Sequence, residues 1–277
     1  MTISTTRAEL RQRIGRELGD LTSVTATANG STTRFTDTIR LRTATNTLVD
    51  REVIFTSGTN AGTIRRITSD NLTSGGGYFD FAAVTAATAT NDTAEIYNFR
   101  GRGWSIAEIH DAINAARVQA YPLYKERIVF SLGAFDQDTG YLSITPGTAD
   151  YIYQVTYPDV NSMTQVVPRA KSTFQNGWST NDGQVHIRGR DLLRLLNGKT
   201  LTAYGYTTPS ALSADSDTTS IAPEWIIWTA CAMLCRQRYL QTDDSKLYNM
   251  ALVYDDKAER AKGSIRTRLR PGTRSVG

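Results

Sequence analysis

The chain has 277 residues, with 31 Lys/Arg against 27 Asp/Glu for a net charge of +4, and 40% of its residues are hydrophobic. That composition supports a packed core and excludes a chain disordered throughout. The charge is mild and gathers near the C-terminus, which excludes a polyanion-binding surface spread over the whole molecule. No apolar run reaches the ~18 residues of a bilayer span, and the opening MTISTTRAELRQRIG lacks the apolar stretch of a signal peptide. The expectation is a soluble protein made in a cytoplasm.

The first element is expected to be a helix over about 6–18. Leu10, Ile14 and Leu18 recur every four residues there, while Arg7, Glu9, Arg11 and Glu17 take other faces. Gly19-Asp20 is a plausible stop. Residues 21–99 change character, being rich in Thr and free of Pro. In REVIFTSGTNAGTIRRITS, β-branched runs at 53–55 and 63–67 flank SGTNAG, which supplies the glycines of a hairpin loop. IRLRT (39–43), YFDFAAVT (78–85) and TAEIYNF (93–99) read as further strands, with TSGGGYF as a glycine loop. The segment is expected to form a small barrel or sandwich.

Helical signals resume in GWSIAEIHDAINAARVQAYPLY. Ser105 followed by Glu108 makes a capping box. Ile106, Ile109, Ile113 and Val118 form a partial apolar stripe, and Ala112, Ala115 and Ala116 permit close packing. Pro122 should end or kink this helix. Between 126 and 208 the runs RIVFSL, YLSIT, YIYQVTY, TQVVP, QVHIR and LTAYGYTT read as short strands. RDLLRLLNGK fits either a short helix ending at Gly198 or a strand edge with a turn.

The last third is helical. Pro223 suits a first helical turn, and 225–240 is apolar nearly all round, as a central buried helix would be. Asp243 or Asp244 is the next N-cap. Leu247, Ala251, Tyr254, Ala258, Ala261 and Ile265 then form a heptad-like seam that could serve as an interface. Pro271-Gly272 forbids further helix, so the end should be extended. The fold class expected is α+β. Four main helices would form a bundle core from 1–20, 100–125 and 221–266, with β modules at 21–99 and 126–210 projecting from it and an extended basic tail at 267–277.

Little in the chain points to catalysis. Cys231 and Cys235 lie one helical turn apart without the further ligands a metal needs, and read as buried free thiols of a reducing compartment. His110 and Asp111 are adjacent, so on a helix they point about 100° apart and form no dyad. His186 alternates with Val185 and Ile187 and faces away from that strand's apolar side. No GxSxG, HExxH, GxxxxGK[ST] or GxGxxG motif occurs. DQDTG (136–140) and SADSDTT (213–219) read as turns rather than ion sites. No catalytic, cofactor-binding or metal-ligating residue is assigned, and no enzyme activity is expected.

The tail is the main functional candidate. From Arg260 onward it carries Arg260, Lys262, Arg266, Arg268, Arg270 and Arg274 with no acidic residue. It has no aromatic side chain to stack on bases, and no apolar face or lipid anchor for a membrane surface. It is either a solvated terminus or a docking arm. In the second case Leu269 and Val276 are apolar pegs, and Arg266, Arg268, Arg270 and Arg274 fork onto a partner's carboxylates.

Three stretches, in order, resemble the head–tail connector (adaptor, or neck) proteins of tailed bacteriophages. They are TTRAELRQRIGRELGD paired with GWSIAEIHDAINAARVQAYP, then LTAYGYTTPSALSADSDTTSIAPEWIIWTACAMLCRQRYL, then the helix of 244–265 with its tail. VIFTSGTNAGTIRRITS is similar to a β module of phage structural proteins. The resemblance implies a non-enzymatic part of the virion neck, built as a homo-oligomeric ring, commonly a dodecamer. It implies docking of the C-terminal helix and tail on the portal protein, contacts with neighbouring copies and a downstream neck or tail protein, and genomic DNA passing through the lumen. Neither a membrane nor a cofactor is implied. The large β content departs from the family pattern and leaves open a head-closure, tail or baseplate component. A nucleic-acid-binding protein using its basic tail ranks below these.

Overall fold

A computed structural model describes residues 4–41, 48–72, 76–97, 103–121, 123–159, 161–170 and 175–268, with the backbone alone over 266–268. It divides into two compact units, Met1–Ala120 with Ala211–Gly277, and Tyr121–Ser210.

In the first unit the helix starts follow local chemistry. Helix α1 (Arg7–Glu17) is capped by Thr6, whose hydroxyl accepts from the Glu9 N–H while the Glu9 carboxylate accepts from the Thr6 N–H. Ser105 and Glu108 do the same for α2 (Ile106–Gln119). Helix α4 (Pro223–Thr242) begins on Pro223 and ends at Asp243, whose φ of 53° is left-handed and reverses the chain. The Asp244 carboxylate then accepts from the Lys246 N–H as α5 (Ser245–Arg268) begins. Helices α1, α2 and α5 all pack on α4.

The 21–97 region folds as an antiparallel sheet of six strands. These are β2 (Leu21–Thr25), β3 (Arg34–Thr36), β4 (Glu52–Phe55), β5 (Ile64–Asn71), β6 (Tyr78–Phe81) and β7 (Thr93–Tyr97), in the order β2-β7-β4-β5-β6-β3. Its two edges meet where Thr27 N–H donates to the Thr36 carbonyl at 2.9 Å and Thr38 N–H to the Thr27 hydroxyl. The sheet thereby closes on itself around a core of Phe35, Phe55, Phe79, Phe81, Ile67 and Ile96. Phe35 and Phe79 stack at 5.3 Å. A second pairing, β1 (Thr5–Thr6) with β15 (Thr218–Thr219), ties the start of α1 to the acidic loop before α4.

The second unit holds a four-stranded antiparallel sheet. Its strands are β8 (Glu126–Ala134), β10 (Tyr151–Pro158), β11 (Thr164–Val167) and β14 (Thr200–Thr207), ordered β11-β10-β14-β8. A three-stranded sheet of β9 (Tyr141–Ser143), β12 (Gly177–Asn181) and β13 (Gln184–Arg188) completes it with the short helix α3 (Arg190–Leu196). Trp178, Phe135, Val155, Leu196 and Leu201 are the centre of this unit's core.

The expectation of a four-helix bundle as the core is corrected by these observations. Five helices stand beside fifteen strands in four antiparallel sheets among the described residues, and the protein is β-rich. The physical reason is that each Thr-rich segment closes an apolar interior of its own. The cores of the β segments therefore draw on none of the long helices; the short α3 adds Leu196 to the second.

Several local expectations change as well. IRLRT makes no strand at 39–41: Asp37 accepts from the Ile39 and Arg40 N–H groups, which turns the chain and leaves Ile39 74% exposed. Arg42 and Thr43 lie outside the described residues. Val118 and Leu240, assigned to apolar faces, are exposed. Helix α2 stops at Gln119, and Pro122 lies outside the described residues. The ambiguous RDLLRLL is helical, and Gly198, with φ of 74°, turns the chain back into β14.

Candidate functional site

Whatever anchors α5 decides how the tail is presented. Along the seam Leu247, Ala251, Tyr254, Ala258 and Ile265 are buried and Ala261 is half-buried. Much of this burial is against α4. Tyr254 stacks on Trp228 at 5.9 Å between centroids, and the Lys257 ammonium sits 4.2 Å from the Trp228 ring. Arg236 of α4 pairs with Asp255 of α5. The Tyr254 hydroxyl donates to the Glu17 carbonyl at the end of α1, 3.0 Å away, and burial pushes its pKa up. The seam thus fixes α5 to its own chain as far as Ile265. Arg266 and Arg268 follow in the helix backbone, without described side chains, and Leu269, Arg270, Arg274 and Val276 lie outside the described residues.

A second constellation was not foreseen. Arg11, off the Leu10–Ile14–Leu18 stripe of α1, is fully buried. Its guanidinium donates through Nη2 and Nε to Glu95 Oε2 at 3.1 and 3.2 Å, and through Nη1 to Asp215 Oδ2 at 2.6 Å. The Tyr97 hydroxyl donates to the same Glu95 oxygen at 2.8 Å. Arg7 grips the other Asp215 oxygen, at 3.2 Å, and the Leu212 carbonyl. His110 Nε2 lies 3.3 Å from Arg11 Nη1. An arginine can only donate, so that nitrogen is the acceptor and the ring proton sits on Nδ1.

Electrostatics in this cluster follow from burial and charge together. Burial lowers the His110 pKa to about 4, with help from the Arg7 and Arg11 charges and against Asp215. Burial would raise the Asp215 pKa, but the Arg11 and Arg7 hydrogen bonds and charges hold it below the usual carboxylate range. Arg11 stays charged because Tyr97, Asp215 and Glu95 outweigh its desolvation. The arrangement neutralises charge and joins α1, β7, α2 and the acidic loop. Asp217 in the same loop accepts from the Ser213 and Ala214 N–H groups and shapes the turn.

No family model matches this chain, and no curated protein matches it. His186 flanks the Tyr141 ring at 5.7 Å and lies between buried Val185 and Ile187. Cys231 and Cys235 are buried; burial drives both thiol pKa values up, that of Cys235 to about 11, which makes them poor nucleophiles. Among the described residues no three His, Cys, Asp or Glu side chains are grouped to hold a metal ion. No described helix is long and apolar enough to cross a membrane.

Proposed function

We propose that the chain is a structural, non-enzymatic component of a tailed-bacteriophage neck. In this reading copies form an adaptor ring, α5 presents the basic tail to the portal protein, a downstream neck or tail protein lands on the ring, and DNA passes through the lumen. One observation carries it. A 24-residue helix, anchored to α4 and α1 along a buried seam, ends on Arg266 and Arg268 and leads directly into a segment with two more arginines, Arg270 and Arg274, and no acid. Such a helix fixes the point from which the basic segment starts, which reduces the entropic cost of docking. Arginine forks suit carboxylates on a protein groove.

The test is co-sedimentation with the portal protein of the same virion. A chain ending at Arg268 keeps the buried Ile265 and with it the seam. It should fold normally, still form rings, and lose portal binding by at least tenfold. Undiminished binding by the shortened chain would contradict the docking role.

A further inference from the structure

One face of the four-stranded sheet differs from an ordinary solvated surface. On β14, Tyr204 and Tyr206 alternate with buried Ala203 and Gly205. Register places Val129 of β8 opposite Tyr204, and Tyr151 of β10 opposite Tyr206. Tyr153, two residues on from Tyr151, shares that side, with ring centroids 4.8 Å from Tyr206 and 6.5 Å from Tyr204. Val129 and Val166 stand 61% and 59% exposed. Cations border this face: Arg127 opposite Tyr206, Lys125 at 6.0 Å from the Tyr206 ring, and Arg169 at 5.1 Å from the Tyr151 ring. The register brings no Asp or Glu of these strands onto it. Tyrosine and arginine around exposed aliphatics is the composition of a protein-binding hot spot.

The first unit carries a patch of complementary chemistry at the α4–α5 turn. Leu240 is 83% exposed, and Tyr248 and Leu252 are 44% and 48% exposed one helical turn apart on α5. Asp243 and Asp244 sit in the turn, where Asp244 accepts from the Lys246 N–H. An apolar knob with acidic flanks therefore exists in the same chain as an aromatic face with basic flanks.

We propose that the α4–α5 turn of one copy docks on the tyrosine face of a second copy of this chain. Leu240 and Leu252 would cover Val129 and the tyrosine rings, with Asp243 and Asp244 set toward Arg127 and Lys125. The like charges within each patch disfavour pairing of a patch with itself. The contact is heterologous, one patch meeting a different one, and such contacts propagate into rings or filaments. The inference rests on the ring reading for closure and supplies that reading's copy-to-copy contact.

Two variants of the full chain test it, Leu240→Asp and Val129→Asp, by sedimentation velocity. The wild type should assemble, and each variant alone should stay monomeric. An equimolar mixture should give a species of two copies and no larger one, because the first variant keeps an intact face and the second an intact turn. That dimer would also show that both variants fold. If either variant assembles like wild type, or the mixture stays monomeric, the docking is overturned while the wild-type ring reading stands. A wild type that never assembles overturns both. If the wild-type monomer instead binds single-stranded oligothymidylate and Val129→Asp abolishes it, the face is a nucleic-acid platform and self-docking is overturned.

Discussion

Arg11 is the residue on which the first unit turns. Its partners Glu95 and Asp215 lie 84 and 204 positions away, and its own side chain is fully buried. Replacing it by methionine keeps much of the volume but leaves the buried Glu95 carboxylate without its counter-charge, while Asp215 keeps Arg7. Breaking a buried pair from one side costs about 3–5 kcal/mol, so Arg11→Met should lower the urea midpoint accordingly; a change under about 1 kcal/mol would contradict the account. His110 gives a pH signature. Its folded pKa, about 4, is below the unfolded 6.5, so the unfolded chain binds protons first as pH falls. The stability it contributes is complete above about pH 6.5 and lost down through about pH 4. Thermal midpoints of the wild type should fall across that window, and those of His110→Gln should fall less. A further slope should set in below about pH 4 from Asp215, whose depressed pKa has the same sign. Nothing in the sequence marked this cluster. A four-residue spacing puts Leu10 and Ile14 on one face and says nothing of which distant acids await the arginine beside them.

Elements were legible where local chemistry decides them. The Ser105–Glu108 box, the Pro223 start and the hairpin around SGTNAG all depend on residues within a few positions of each other. The hairpin register, Ile54 opposite Ile64, follows from that loop. Ser105→Ala removes one half of the cap and should cost about 1 kcal/mol, measured by urea unfolding. Short strands such as β3 and β12 gave no signal, since three to five residues cannot show a period. YIYQVTY and LTAYGYTT read as strands, and β10 and β14 form there. Alternation puts the tyrosines of each strand on one side, but that the two sets meet depends on the register of β10 with β14, Tyr151 opposite Tyr206, which pattern alone does not reveal. Leu240 was misplaced for a related reason. The helix is apolar nearly all round, but its last turn passes beyond the packing of its neighbours.

At the scale of the whole chain the helical seam was legible and the weight of the fold was not. Amphipathic helices announce themselves by period. The capacity of Thr-rich strands to enclose an interior is visible only once Phe35, Phe55, Phe79 and Phe81 meet from different strands. The expected bundle thus gives way to a β-rich molecule in which helices fix the root of a basic arm. The central claim is that copies of this chain assemble as a neck adaptor. Electron microscopy of the purified full-length protein tests it most directly. Closed rings, with the twelve-fold symmetry common in the connectors it resembles, are the predicted result. Monomers throughout, or six-fold or three-fold assemblies, would contradict it.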